Sequence, residues 1–162
     1  MPKKINLNIS VTELDSENEL SEKEQELLRA ARKATENAYA PYSNFLVGAA
    51  ILLESGEIIT GTNQENAAYP SGLCAERTAI YWAGANRPNQ QIISIAVTAR
   101  KAESNEFLPV SPCGGCRQAM LEYEHKQQKS INMILEGGNG KIVLVESIAS
   151  LLPLSFTAKS LK

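Results

Sequence analysis

Pro112-Cys113-Gly114-Gly115-Cys116 constrains this chain more tightly than any other stretch. Two cysteines three residues apart at a helix start place both sulfurs on one turn. The free N–H groups and the positive end of the helix dipole there favour thiolates. Taken alone, the spacing fits a thioredoxin-like redox pair or half of a structural zinc site as readily as a catalytic metal centre. A third cysteine opens Cys74-Ala75-Glu76-Arg77, again where a helix is expected to begin. No fourth cysteine exists, and the one histidine, His125, falls near the exposed end of a helix, where a surface role is the plain reading. Structural zinc sites close with four ligands, whereas catalytic sites hold three and leave a corner for solvent. If metal binds, the count favours the open kind.

Glu76 meets a geometric condition. Residues i and i+2 do not face each other within a helix. Cys74 and Glu76 share a pocket only if Cys74 takes the first helical position, so that both project off the helix end. Residues 67–73, with Pro70 and Gly72, have the composition of a loop ending there. An acid in a first turn is also favoured by the dipole alone. Arg77, three residues after Cys74, lies on the same face. Three thiolates around Zn²⁺ make an electron-rich site, and a guanidinium beside them would draw charge off the sulfurs and restore Lewis acidity. A surface salt bridge is its simpler alternative.

Length and charge bound the partner. A chain of 162 residues suits one domain, and 43% hydrophobic with 21% charged residues is an ordinary globular mix. A net charge of −2 argues against a nucleic-acid backbone or an anionic membrane as partner. No apolar run approaches the roughly 20 residues of a membrane helix. Residues 1–8 are short and mixed with no secretory core behind them. An odd number of cysteines suits a reducing compartment, so a cytoplasmic protein acting on a small polar metabolite is expected.

Apolar and polar residues alternate over 5–11, which predicts a half-buried strand. Ser21 and Glu24 form a capping-box pattern that starts a helix running to about residue 38. Residues 40–44 break it. Strands follow at 47–53 and 57–61 around a Ser55-Gly56 turn, then a helix at 74–85, a strand at 92–98 and a helix at 114–126. Strands at 131–135 and 142–145 flank Gly137-Gly138-Asn139-Gly140, and a short helix at 147–152 stops at Pro153. The sum is an α/β fold, a three-layer α-β-α arrangement with a mixed sheet of about five strands plus an extra N-terminal strand. Residues 1–21 read as an N-terminal extension forming an edge strand, and 22–162 as the main domain.

Four stretches occur together in a telling order. They are Tyr42-Ser43-Asn44-Phe45-Leu46-Val47-Gly48-Ala49-Ala50, Asn63-Gln64-Glu65-Asn66-Ala67, Cys74-Ala75-Glu76-Arg77-Thr78-Ala79 and Ser111-Pro112-Cys113-Gly114-Gly115-Cys116-Arg117-Gln118. The chain resembles the small, homotetrameric, zinc-dependent cytidine deaminases from about residue 38 to 156, and its motifs fit the Cys-Ala-Glu and Pro-Cys-x-x-Cys description of zinc deaminases. The resemblance implies one Zn²⁺ per subunit on Cys74, Cys113 and Cys116. It implies Glu76 as proton shuttle, with a zinc-held hydroxide attacking cytidine, and deoxycytidine as well, to give uridine and ammonia in pyrimidine salvage. The Ala75 N–H then helps hold the base and Phe45 packs against it, while Asn63 and Glu65 bind a ribose hydroxyl. Tyr69 and Phe156 resemble residues lent to a neighbour's site in the tetramer. Plain core or anchoring roles stand beside those of Phe45 and Phe156. Gly115 replaces a commoner alanine, Gln64 an aliphatic residue and Thr157 a glycine. Another small aminated heterocycle is the nearest alternative substrate, ahead of RNA or DNA.

Overall fold

The computed structural model describes residues 2–161. Its strands are β1 (Thr12–Leu14), β2 (Phe45–Leu53), β3 (Ile58–Thr62), β4 (Ile92–Lys101), β5 (Phe107–Leu108), β6 (Asn132–Glu136) and β7 (Ile142–Val145). Its helices are α1 (Glu22–Ala34), α2 (Ala75–Asn86) and α3 (Gly114–Gln127), joined by short 3-10 turns. One seven-stranded sheet runs β1-β7-β6-β4-β2-β3, with β5 beside β4 beyond the end of β6. Every pairing is antiparallel except β4 with β6, where α3 makes the crossover that a parallel pair requires. The sheet thus has the five or so strands expected and an N-terminal edge strand, with β5 as the one addition.

Period-two alternation sorts β2 onto two cores. Ala49, Ile51 and Leu53 pack with α2, α3, β4 and β6 on one face. Ala50 and Leu52 pack with Leu27, Leu28 and Ala31 of α1 on the other. The three-layer α-β-α arrangement follows. Two glycines let the helices sit close. A Cβ on Gly48 would lie 2.0 Å from the Ala31 carbonyl oxygen, and one on Gly61 would lie 2.5 Å from the Ala79 nitrogen. Gly61 therefore seats the first turns of α2 directly on β3.

The capping box at Ser21 forms as the pattern predicts, with the Ser21 hydroxyl accepting from the Glu24 N–H and Glu24 reaching back to the Ser21 N–H. The helix ends at Ala34 and continues as a 3-10 turn over Thr35–Asn37. The segment expected as a helix over 147–152 is likewise a 3-10 turn, Ile148–Leu151, capped by Ser147. The N-terminal strand requires a correction. Residues 2–11 have no regular structure, and the edge strand is Thr12–Leu14, paired with Leu144, Val143 and Ile142 of β7. The apolar alternation over 5–11 is real, yet β7 has only four residues and offers that segment no partner.

Two buried carboxylates tie the layers together. Glu136 accepts from Arg32 of α1 at 2.6 Å and from the Thr98 hydroxyl at 3.2 Å. Glu124 of α3 accepts from the N–H groups of Ile131 (2.8 Å), Ile148 (2.8 Å) and Ala149 (3.1 Å) and from the Ser147 hydroxyl (2.7 Å). That one side chain fixes α3 to the start of β6 and to the turn after β7. No helix among the described residues is long and apolar enough to cross a membrane.

Candidate metal centre

Cys74 and Cys113 occupy the N-cap positions of α2 and α3, and Cys116 stands in the first turn of α3. The sulfurs of Cys74 and Cys113 are 3.9 Å apart, those of Cys113 and Cys116 3.5 Å, and all three lie within 4.8 Å of one another. A tetrahedral zinc with Zn–S bonds near 2.3 Å sets its sulfurs about 3.8 Å apart. The triad therefore fits a zinc ion. Neither N-cap cysteine makes a side-chain cap hydrogen bond, so the sulfurs are not committed to the helix ends. The fold brings the helix starts together by closing a loop. Gln64 and Leu73 exchange N–H···O bonds at 2.8 and 2.9 Å, and Cys74 follows at once. The same neck puts Asn63 and Glu65 beside Cys74.

The condition set for Glu76 is met one residue differently. Cys74 is the N-cap rather than the first helical residue, with extended backbone (φ −73°, ψ 154°). From that half-turned position its sulfur and the Glu76 carboxylate still reach one cavity. Glu76 is only 5% exposed. Burial pushes its carboxyl above the ordinary carboxylate range, and a Cys74 thiolate pushes it the same way. Arg77 Nη2 donates to Cys74 Sγ at 3.6 Å. Hydrogen bonding to Cys116, and then to Arg77, holds the Cys74 thiol down to about 5. Cys116 is pushed upward chiefly by its hydrogen bond with Cys74. The guanidinium of Arg77 thus favours the thiolate of Cys74, the sulfur it faces.

The sulfurs of Cys74 and Cys113 open into a cavity of about 620 Å³ that Glu76, Arg77, Phe45, Val47, Asn63, Glu65 and Tyr69 also line. Asn63 and Glu65 project to the same side because they stand two residues apart along extended chain, with Gln64 alternating between them. Both are already engaged. Asn63 accepts from the Val47 N–H and donates to the Phe45 carbonyl, each at 2.8 Å. Glu65 accepts from the Tyr42 N–H, the Ser43 N–H and the Ser43 hydroxyl. Ala75 is fully buried, and its N–H is the first of α2, with no acceptor inside the helix. Tyr69, 76% exposed, lines its own chain's cavity and stands edge-on to Tyr42 at 6.1 Å. Phe156 lies outside that cavity, with its carbonyl held by Gln118 Nε2 at 3.0 Å. His125 is exposed. A methyl on Gly115 would meet only Cys113 Sγ, at 4.0 Å, so the glycine there does not reshape the centre.

Ser43 is a residue to which the sequence lent no role. Its signals were its place in the stretch 42–50 that carries the resemblance and its position two residues before Phe45 in a helix-breaking turn.

Comparisons with known proteins point one way. The family described as cytidine and deoxycytidylate deaminase zinc-binding region matches residues 21–131. A cytidine deaminase of Halalkalibacterium halodurans is 40% identical over 137 residues, covering 85% of this chain and 96% of that protein. One from Sporosarcina psychrophila is 38% identical over the same share of this chain and 93% of its own. The crystal structure of a cytidine deaminase from Burkholderia pseudomallei superposes with a TM-score of 0.68 at 38% identity, over 81% of this chain and 97% of that one.

Proposed function

This chain belongs to the family of zinc-binding cytidine and deoxycytidylate deaminases, and on that footing we propose that it hydrolyses cytidine to uridine and ammonia. The observation that carries the proposal is the juxtaposition at the start of α2. Three sulfurs stand at the spacing of a zinc tetrahedron, and a buried carboxylate two residues from one of them faces the same cavity. Cys74, Cys113 and Cys116 would hold one zinc. When bound, the ion supplies a Lewis-acidic corner at which water becomes a nucleophile near neutral pH.

The chain's own groups do the rest. Glu76, buried and raised above the ordinary range, takes a proton from the attacking water and passes it to the pyrimidine ring nitrogen. It then carries the second proton to the exocyclic amine, which leaves as ammonia. One carboxylate serves both steps because it is base and acid in turn. The Ala75 N–H and the Phe45 ring orient the base, and Asn63 and Glu65 take a ribose hydroxyl. Arg77 draws charge from Cys74. We extend the proposal to deoxycytidine, which carries the same aminated ring, and place the reaction in pyrimidine salvage. Three free thiols serving as ligands suit the reducing cytoplasm. The exposed Tyr69 and Phe156 are assigned to a neighbour's site in a homotetramer.

Ammonia release from cytidine, followed with and without a zinc chelator, tests this directly. The chelator should abolish it, and added zinc should restore it. Glu76→Gln should keep its zinc and lose at least about a thousandfold in kcat, equivalent to roughly 4 kcal/mol of barrier. Turnover near that of the wild type in this variant would refute the assignment.

A further inference from the structure

The Ser43 hydroxyl bridges two parts of the cavity wall. It donates to Glu65 Oε1 at 2.5 Å and accepts from the Phe45 N–H at 3.1 Å. On the other side of Phe45, Asn63 Nδ2 donates to the Phe45 carbonyl at 2.8 Å. The two peptide groups of Phe45 are thus held by two polar side chains, one of them bonded in turn to Glu65. The turn beneath is itself fixed. Asn44 is left-handed (φ 53°), donates its N–H to the Ala40 carbonyl at 3.0 Å and accepts from the Ala102 N–H at 2.9 Å.

An ionised carboxylate accepts at about four lone-pair positions. Glu65 Oε2 takes the N–H groups of Tyr42 (2.9 Å) and Ser43 (3.3 Å), and Oε1 takes the Ser43 hydroxyl. A single acceptor direction on Oε1 is left for a ligand. The hydrogen bond from Ser43 is also the foremost reason that the Glu65 carboxyl sits below its usual range, which keeps it an acceptor.

We propose that Ser43 is a positioning residue for the nucleoside, its hydroxyl locking the Glu65 carboxylate and the Phe45 backbone into one unit that reads sugar and base together. The inference rests on the roles given above to Glu65 and Phe45. Without the hydroxyl, Oε1 loses its tether, the carboxylate can rotate, and Phe45 loses one of its two backbone anchors. Binding should suffer more than the chemical step, because the hydrogen bonds of Ser43 go to Glu65 and Phe45 and not to Glu76 or the sulfurs.

The test compares wild type, Ser43→Ala, Ser43→Thr, Glu65→Gln and the Ser43→Ala/Glu65→Gln double variant. Steady-state kinetics with cytidine, zinc content and Tm are measured for each. Ser43→Ala should raise KM about tenfold while kcat stays within about threefold. Ser43→Thr, which keeps the hydroxyl at an exposed position, should return KM to near the wild-type value. The double variant should lose clearly less in kcat/KM than the product of the two single losses, since in it the tie to Glu65 is counted once and only the Phe45 anchor is lost in addition. Unchanged kinetics in Ser43→Ala would overturn the proposal. So would losses that add to those of Glu65→Gln, or a loss that follows Tm or zinc content and is not rescued by threonine. A wild-type protein that releases no ammonia from cytidine would overturn the underlying reading along with this one. A wild type that turns over beside an unaffected Ser43→Ala would overturn this one alone.

Discussion

Single residues at this centre act through charge. Cys74 is the sulfur to which Arg77 donates, and that contact favours its thiolate. Replacing Arg77 with Gln removes the positive charge but keeps much of the side chain's length. We expect kcat to fall about tenfold to a hundredfold, or zinc affinity to fall by a similar factor, with KM little changed. Kinetics paired with metal analysis check this, and a variant unchanged in both would assign Arg77 to packing. The spacing of the cysteines, Glu76 and Arg77 at two helix starts could be read in the sequence, while the roles of zinc ligand and proton shuttle came from the family resemblance. Asn63 and Glu65 could be read only in part. Their commitment to the backbone of residues 42–47 depends on the closure of Gln64 against Leu73, a long-range contact that no local pattern encodes.

Elements were legible where amphipathic period and capping agreed, as for α1 with its box at Ser21, and where a short run was apolar throughout, as for β2. They were not where pairing decided the outcome. Residues 5–11 alternate without a partner, and β5, two residues long, is too short to show a period. Glu124 shows how one side chain can set the place of an element. It terminates four hydrogen bonds from the start of β6 and the turn beyond β7, and it is 6% exposed. Glu124→Gln offers an N–H₂ group where an acceptor is needed, so we expect a loss of about 3 kcal/mol of stability. Chemical denaturation would measure it, and a loss under about 0.5 kcal/mol, the range of ordinary surface changes, would contradict the role.

At the scale of the whole molecule, Phe156 is 59% exposed and stands outside its own cavity, while Tyr69 projects at that cavity's rim. The proposed homotetramer, in which each subunit completes another's site, would give the exposed Phe156 a place, whereas Tyr69 already lines its own chain's cavity. Light scattering should give four times the chain mass, and Phe156→Ala should raise KM for cytidine. A monomeric protein with full activity would refute the shared site. The positions of the three sulfurs along the chain carry one more consequence. The first belongs to α2 and the other two to α3, and between them in sequence runs β4, the strand that lies against both β2 and β6. A nascent chain emerging from the ribosome therefore presents a lone thiol first, and the complete ligand set exists only once the middle of the sheet has been threaded. Binding of zinc by the three sulfurs would therefore be coupled to folding of the middle of the sheet, while β6 and β7 come later still in the chain.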